Sequence, residues 1–151
     1  MAFLEGKRHR QSSVPCGRYT RFSMEKGVYR MVDAKVVEKP WGNYQVLQEG
    51  LHYKIKNILV NAGEQLSLQV HEHRAENWVV VHGTANVIRG PKLSKLKTTQ
   101  LSVQESITIP KKWIHSLVNV GLQPLVVIEV QHGSYLGEDD IQRFEDKYGR
   151  A

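Results

Sequence analysis

Residues 63–83 read GEQLSLQVHEHRAENWVVVHG, a stretch with the periodicity of two β-strands. Alternation of apolar and polar residues in its first half predicts a strand with Gln69 and His71 on one face. A short turn at residues 72–75 then leads to a second, apolar run that begins at Glu76. A hairpin can bring Glu76 beside His71, so the stretch predicts a pair of strands with metal-ligating side chains on one face.

The rest of the chain continues this pattern of short strands. Runs rich in β-branched and aromatic residues alternate with turn sequences such as Asn61-Ala62-Gly63 and Gly90-Pro91. Eight strands at this spacing predict a β-barrel or β-sandwich. The predicted strands are residues 44–49, 53–60, 65–71, 76–82, 84–89, 106–110, 113–120 and 124–131.

The C-terminal sequence GEDDIQRFEDKYGR favours a helix. Three consecutive acidic residues suit a helix N-terminus, and Ile141, Phe144 and Tyr148 recur at helical spacing before Gly149. We therefore expect a short C-terminal helix that packs over the barrel. Arg143 and Arg150 are candidates for binding phosphate, but on such a helix with neighbouring acids we expect them to serve as capping or packing charges.

The length and the charge distribution predict one folded domain behind a basic arm. A chain of 151 residues fits a single domain. Residues 1–30 carry seven Lys and Arg against two acidic residues, whereas the rest carries 14 against 13. We predict a basic arm at residues 1–33, which can be flexible, and a barrel domain at residues 34–151. Because the basicity belongs to the arm, we expect no nucleic-acid partner.

Composition also bears on the compartment and on membranes. Cys16 is the single cysteine, so an internal disulfide is excluded and a reducing compartment is expected. The longest apolar runs are far shorter than the ~20 residues that a membrane-spanning helix needs. The N-terminus turns basic after four residues, unlike a secretory signal. We therefore predict a cytoplasmic protein with no membrane association.

His115 is a third candidate ligand. It lies in the middle of the predicted strand at residues 113–120, between apolar neighbours. Burial of His115 opposite His71 and Glu76 would bring two imidazoles and a carboxylate together. That donor set suits a borderline divalent metal.

The spacing of these residues resembles the two motifs of the cupin superfamily. The first motif is G-x5-H-x-H-x3,4-E-x6-G, and the chain matches it with Gly63, Gln69, His71, Glu76 and Gly83, Gln69 replacing the first His. This resemblance implies a metal-binding cupin β-barrel, or jelly roll.

The second cupin motif is G-x5-P-x-G-x2-H-x3-N. Pro110, His115 and Asn119 reproduce its end, while Gln104 and Lys112 stand at its two Gly positions. The resemblance implies a divalent metal held by Gln69, His71, Glu76 and His115. Zn²⁺ is the preferred candidate, and Mn²⁺, Fe²⁺, Co²⁺ and Ni²⁺ are the alternatives. His73 is the competing second ligand, but it leaves too few residues before Glu76 for the family spacing.

Three longer stretches resemble the type II phosphomannose isomerases more specifically. They are residues 39–44 (KPWGNY), 66–81 (LSLQVHEHRAENWVVV) and 134–150 (SYLGEDDIQRFEDKYGR), and the likeness covers roughly residues 38–150. The resemblance implies interconversion of mannose 6-phosphate and fructose 6-phosphate through a cis-enediolate. This family often follows a mannose-1-phosphate guanylyltransferase domain.

The resemblance also implies roles for residues near the ligands. Arg74, expected in the exposed turn after His71, is the candidate cation for the phosphate or the enediolate oxygen; a surface salt bridge with a neighbouring Glu is the alternative. His73, Glu129 and Lys56 are the candidates for the general base. Lys56 and Glu129 are also the predicted substrate-binding residues.

Two further expectations concern partners and function. We expect a sugar phosphate as the ligand and a homodimer as the assembly, since an open barrel leaves strand edges that need cover. The alternative function is a non-catalytic cupin, either a sugar-phosphate sensor or an accessory subunit of a separate guanylyltransferase. Substitutions around the His-Arg-Ala-Glu element at residues 73–76 favour that alternative, and the intact ligand positions favour the enzyme.

Overall fold

The computed structural model of the chain describes residues 30–31 and 35–150. Within these residues the chain forms twelve strands and two short 3₁₀ helices. The strands are β1 (Arg30–Met31), β2 (Val36–Lys39), β3 (Gly42–Glu49), β4 (Tyr53–Val60), β5 (Leu68–His71), β6 (Arg74–His82), β7 (Ala85–Gly90), β8 (Lys97–Leu101), β9 (Ser106–Ile109), β10 (Ile114–Asn119), β11 (Leu125–Gly133) and β12 (Ile141–Glu145). The 3₁₀ helices are Leu93–Lys95 and Glu138–Asp140.

The strands make two antiparallel sheets. The first sheet has the order β1-β3-β4-β11-β6-β9, with β2 also paired with β3, and the second has the order β12-β5-β10-β7-β8. Val80 and Val127 of the first sheet share one buried core with Val87 and Leu117 of the second. Two sheets that enclose one core confirm the expected all-β barrel.

The interior of the barrel has an apolar half and a polar half. The buried side chains of β11 are Leu125 and Val127 at one end and Glu129 and Gln131 at the other. Because β6 runs antiparallel to β11, its Val80 and Glu76 lie at the matching ends. We define the apolar half by Val60, Val80, Val87, Leu117, Leu125 and Val127, and the polar half by Lys56, Gln69, His71, Arg74, Glu76, His115, Glu129 and Gln131.

All eight predicted strands are present, as β3 to β7 and β9 to β11. Strands β1, β2, β8 and β12 were not predicted. In β8, four of the five residues are exposed, so the sequence KTTQL carries no apolar alternation. This strand is held through its ladder with β7, in which Val87 pairs with Thr99.

The expected C-terminal helix is wrong. Glu138–Asp140 form a single 3₁₀ turn, and Ile141–Glu145 form β12, which pairs with the edge of β5. Ile141 and Arg143 face the interior cavity while Gln142 and Phe144 are exposed, so the segment has the period of a strand. Pairing with β5 satisfies main-chain groups that a separate helix would leave open at that edge.

The basic arm lies mostly outside the described residues, namely in residues 1–29 and 32–34. Arg30–Met31, inside the predicted arm, pair with Gln48 and Glu49 of β3. Among the described residues, no helix is long and apolar enough to cross a membrane.

Two residues at cupin glycine positions keep a glycine-like backbone. Gln104 has φ 76° and Lys112 has φ 64°, in the left-handed region that favours glycine. The main-chain nitrogen of Gln104 donates a hydrogen bond to Val80 O, next to the apolar half. The nitrogen of Lys112 donates to His71 O, next to the polar half. Both turns therefore hold a non-glycine residue in a strained, left-handed conformation.

Candidate metal centre and cavity

His71, Glu76 and His115 come together from both sheets. His71 ends β5, His115 lies on β10, and Glu76 comes from β6 in the opposite sheet. All three are buried, and one ligand atom from each lies within 4.8 Å of the others. The sequence prediction that these three side chains converge agrees with this geometry.

The main chain orients both imidazole rings. His71 Nδ1 lies 3.3 Å from Asp140 O, and His115 Nδ1 lies 2.8 Å from Trp113 O. A carbonyl oxygen only accepts, so each Nδ1 carries a hydrogen, and each ring points its Nε2 into the cluster. This second contact of a histidine ring is the usual support of a metal-binding imidazole.

The lone pairs of the cluster are only partly satisfied. His71 Nε2 and Glu76 Oε1 both accept from the guanidinium of Arg74, at 3.3 Å and 3.0 Å. His115 Nε2 and Glu76 Oε2 lie 3.5 Å apart, and within the described part of the chain neither has a hydrogen-bond partner. Two buried acceptors that face each other are unfavourable unless a cation lies between them. The residues present therefore fit a divalent metal ion.

Glu76 carries its charge in this environment. Burial by itself raises the pKa of the carboxyl, but His115 and His71 outweigh burial and hold the pKa of Glu76 well below its usual range. An ionised carboxylate beside two imidazoles is a donor set for zinc and similar divalent metals.

Gln69 lies beside the cluster with its amide nitrogen toward it. Gln69 Nε2 is 3.4 Å from His71 Nε2, while Gln69 Oε1 accepts a hydrogen bond of 2.8 Å from Ser67. A metal ligand would use the amide oxygen, so this role requires the amide group to rotate until its oxygen takes the place of its nitrogen. The part of Gln69 as fourth ligand stays a prediction.

Arg74 occupies a different environment from the one expected. It is the first residue of β6 and is 2% exposed, so the expectation of an exposed turn residue is wrong. The guanidinium donates to Glu76, to Gly137 O at 2.9 Å and to His71. A buried charge lowers the stability of the fold unless polar or charged groups contact it. These three acceptors compensate for the burial of the Arg74 guanidinium.

A narrow cavity opens beside the cluster and contains the predicted substrate-binding residues. Lys56 pairs there with Glu138, and Glu129 accepts hydrogen bonds from Trp78 at 3.0 Å and Gln131 at 2.7 Å. The lining residues are Lys39, Trp41, Tyr44, Lys56, Ile58, Leu66, Ser67, Gln69, Arg74, Glu76, Glu129, Gln131, Glu138, Ile141, Arg143 and Arg150.

The charges in the cavity shift one another. Burial raises the pKa of Glu129 to about 8, with a further increase from Glu76, and Lys56 and Arg74 only partly offset these effects. Burial lowers the pKa of Lys56, but the carboxylates of Glu129 and Glu138 outweigh it, so that pKa is raised. The cavity therefore contains a carboxyl group with a raised pKa, on Glu129, and an ammonium group with a raised pKa, on Lys56.

His73 is not brought into the cavity. Its side chain is exposed and packs edge to face on Tyr135, with the ring centroids 6.1 Å apart. Its main-chain nitrogen and that of Glu72 donate to the carboxylate of Asp140. These contacts hold the turn between β5 and β6 in place.

Sequence reasoning missed the contribution of the 3₁₀ turn and β12. Glu138, Ile141, Arg143 and Arg150 all line the cavity, and Asp140 orients His71. The helix assignment left Glu138, Asp140 and Ile141 out of the predicted site and favoured packing roles for Arg143 and Arg150. The available signal was the period of two in Ile141 and Arg143, which the acidic residues ahead of them obscured.

Comparisons with known proteins identify relatives of this chain. The family model described as mannose-6-phosphate isomerase C-terminal matches residues 29–146. The xanthan biosynthesis protein XanB of Xanthomonas campestris is 52% identical over 115 residues, which are 76% of this chain and 24% of that protein. The mannose-1-phosphate guanylyltransferase ManC of Salmonella typhimurium is 51% identical over 116 residues, or 76% and 23%. The chain thus spans about a quarter of the length of these relatives.

Solved structures support the fold. An oxalate decarboxylase of Lactobacillus farciminis has a TM-score of 0.65 at 20% identity, over 74% of this chain and 34% of that one. CapF, a capsular polysaccharide assembling protein of Staphylococcus aureus, has a TM-score of 0.64 at 15% identity, over 75% and 34%. These similarities confirm the cupin barrel. With the family match over residues 29–146, they show that the chain belongs to the mannose-6-phosphate isomerase C-terminal family of cupins.

Proposed function

We propose that this protein is a metal-dependent isomerase that interconverts mannose 6-phosphate and fructose 6-phosphate through a cis-enediolate. One observation carries the proposal: His115 Nε2 and Glu76 Oε2 are buried acceptors that have no hydrogen-bond partner among the described residues, next to a cavity lined by cations and carboxylates. Membership of the isomerase family supplies the substrate class.

The metal would be held by His71, Glu76 and His115, with Gln69 as the fourth candidate ligand. When bound, a divalent ion supplies positive charge that stabilises an oxyanion developing on the substrate. The main-chain carbonyls of Asp140 and Trp113 keep the two histidine rings turned toward that position.

Glu129 is our choice for the group that moves the proton between C1 and C2. Unlike His73, it lines the cavity, and unlike Lys56 it is not engaged in a salt bridge with Glu138. Trp78 and Gln131 fix both carboxyl oxygens in position. A general base is most effective when its pKa lies near the operating pH, and the raised pKa of Glu129 agrees with this.

Arg74 has a positioning role and an electrostatic one in this scheme. Its guanidinium holds the side chains of Glu76 and His71 in position and also lines the cavity. A fixed guanidinium next to a narrow cavity favours negative charge on a substrate oxygen. As a metal ligand, His71 Nε2 would no longer accept a hydrogen bond from Arg74.

The narrowness of the cavity favours a second candidate function. Its volume is about 60 Å³, well below the roughly 300 Å³ at which ligand pockets usually begin. A sugar phosphate therefore needs the wall formed by residues 137–150 to move outward. If that wall stays closed, the chain acts as a non-catalytic cupin, such as an accessory subunit of a guanylyltransferase.

An isomerase assay tests the proposal. Mannose 6-phosphate is offered to metal-stripped protein, to protein reloaded with each divalent metal, and to two variants. We expect activity only with metal, a loss of roughly a hundredfold or more in kcat for Glu129→Gln, and wild-type activity for the exposed control Glu38→Gln. Absence of turnover with every metal would instead support the non-catalytic alternative.

A further inference from the structure

The two histidines of the metal centre are oriented from different distances along the chain. The carbonyl that accepts from His115 Nδ1 belongs to Trp113, two residues earlier in the sequence. The carbonyl that accepts from His71 Nδ1 belongs to Asp140, 69 residues away, in the 3₁₀ turn at the start of the cavity wall of residues 137–150. Outward movement of that wall would therefore leave the His115 ring oriented and take away the support of the His71 ring.

The side chain of Asp140 holds this turn on the segment that follows His71. Its two carboxylate oxygens accept hydrogen bonds from consecutive main-chain nitrogens, Oδ1 from Glu72 and Oδ2 from His73, both at 3.2 Å. The next residue, Ile141, begins β12 and pairs with His71 in the strand register. The carbonyl, the carboxylate and the strand ladder therefore all connect the start of the wall to His71 and the turn after it.

Arg74 makes a second connection between the metal centre and the wall. Its guanidinium donates to Glu76 and His71 in the cluster and, at 2.9 Å, to Gly137 O at the start of the wall. Gly137 O also accepts from the main-chain nitrogen of Asp140 within the turn, at 3.2 Å. Outward movement of the turn would therefore break contacts of His71 and of Arg74 together.

We propose that Asp140 is a positioning residue that couples metal binding at His71 to closure of the cavity wall. When His71 Nε2 is a metal ligand, the imidazole ring is poorer in electrons, and its Nδ1–H group donates more strongly to the carbonyl of Asp140. Metal binding therefore favours the closed wall, and by linkage the closed wall raises metal affinity by the same factor. The proposal rests on the metal centre of the function proposed above and is independent of turnover.

Asp139 offers a matched control in the same 3₁₀ turn. Asp139→Ala makes the same change in size and charge as Asp140→Ala. Asp139 is exposed, and its carboxylate accepts from the hydroxyl of Tyr135 at 2.6 Å, whereas the nitrogens of Glu72 and His73 donate to Asp140. A difference between the two variants therefore reports on the contacts of Asp140 and not on the charge of the turn.

Calorimetric titration with Zn²⁺ measures the positioning role. The full chain is used in metal-free form as wild type, Asp140→Ala, Asp140→Asn and Asp139→Ala, and circular dichroism establishes that each is folded. We expect Asp140→Ala to lose about tenfold to a hundredfold in affinity, as for the loss of an outer partner of a ligating histidine. Asp140→Asn should retain part of the affinity, because its amide oxygen still accepts. Asp139→Ala should bind as wild type does.

Hydrogen exchange measures the coupling to the wall. The main-chain amides of β12 pair with β5 and are protected only while the wall is closed. We expect saturating Zn²⁺ to slow their exchange about fivefold or more in wild type and in Asp139→Ala, and clearly less in Asp140→Ala. The amides in the ladder between β7 and β8 serve as the internal reference.

The outcomes separate this proposal from the one on which it rests. Equal Zn²⁺ affinity in Asp140→Ala and Asp139→Ala overturns the positioning role, and Zn²⁺-insensitive exchange of β12 in a wild type that binds Zn²⁺ overturns the coupling. If Asp140→Ala does not fold, Asp140→Asn decides, and results equal to those of Asp139→Ala overturn the proposal. Wild type that binds no Zn²⁺ removes the metal centre and this proposal with it. Zn²⁺-slowed exchange that depends on Asp140, in a protein without isomerase activity, supports the coupling and removes the isomerase function.

Discussion

The two halves of the barrel interior use the same strands for opposite purposes. On β11, Leu125 and Val127 are fully buried among apolar side chains, while Glu129 and Gln131 are equally buried among charges. Burial of apolar area stabilises the fold by about 25 cal/mol per Å², whereas burial of charge lowers stability unless each charge is paired. The apolar half therefore supports the fold, and the polar half imposes a cost that a bound ligand can relieve.

A large effect is expected from truncation in the apolar half. Leu117 has no exposed surface and lies in the core, so Leu117→Ala should lower the free energy of unfolding by about 2–5 kcal/mol. Leu122→Ala, at a site that is 94% exposed, is the control and should change it by less than about 0.5 kcal/mol. Urea denaturation of metal-free protein gives both values. Equal effects of the two substitutions would contradict the assigned core.

Arg74→Ala should have a comparable effect in the polar half. The substitution leaves Glu76 buried without its guanidinium, and breaking a buried ion pair typically costs about 3–5 kcal/mol. We expect added metal to restore part of the lost stability, because the cation replaces the missing charge. The same denaturation experiment with and without Zn²⁺ measures this. A metal-free Arg74→Ala protein as stable as wild type would mean that Arg74 is not built into the cluster.

The pH dependence of stability also distinguishes the two halves. The pKa of Glu129 is about 8 in the folded protein and about 4.3 in an unfolded chain. Between these values the folded state holds a proton that the unfolded state has lost. This contribution is therefore complete below about pH 4 and is lost as the pH rises toward 8, with a slope of up to ~1.4 kcal/mol per pH unit. In metal-free Glu129→Gln, stability should fall less across this range, as thermal unfolding at several pH values can show; equal profiles contradict the assignment.

The smallest effects concern the turns at the two ends of the barrel. Gln104→Gly should raise stability by up to about 1 kcal/mol, because glycine removes the strain of φ 76°. Lys112→Gly should gain less, since it also removes the exposed salt bridge between Lys112 and Glu72. Paired thermal unfolding curves measure both. A loss of stability in Gln104→Gly would show that its side chain contributes more than its backbone costs.

Sequence patterns predicted the parts of the molecule that depend on local periodicity. Alternation identified the eight strands that carry the core, and the spacing of His71, Glu76 and His115 predicted their convergence. Long-range pairing decided the rest. Residues 141–145 contain both a helical and a strand periodicity, and only the open edge of β5 selects the strand.

Arg74 shows the same limit within the site. In the sequence, Arg74 lies beside a turn of charged residues, which predicts exposure. In the structure it is buried, and it donates a hydrogen bond to the carbonyl of Gly137, which is distant in the sequence. Arg143 was expected to be a packing charge on a helix, and the strand places it in the cavity. The homodimer, the roles of Gln69 and His73, and the cytoplasmic location remain predictions.

Metal titration tests the central claim, that the polar half is a metal site, most directly. Zn²⁺ is titrated calorimetrically into metal-free wild type, His115→Ala and the exposed control His82→Ala, whose ring lies at the end of β6 away from the cluster. We predict one equivalent bound by wild type and by His82→Ala, and at least a tenfold loss of affinity in His115→Ala, because the ion loses one of its few ligands. Binding of equal strength in His115→Ala, or no binding by wild type, would contradict the account.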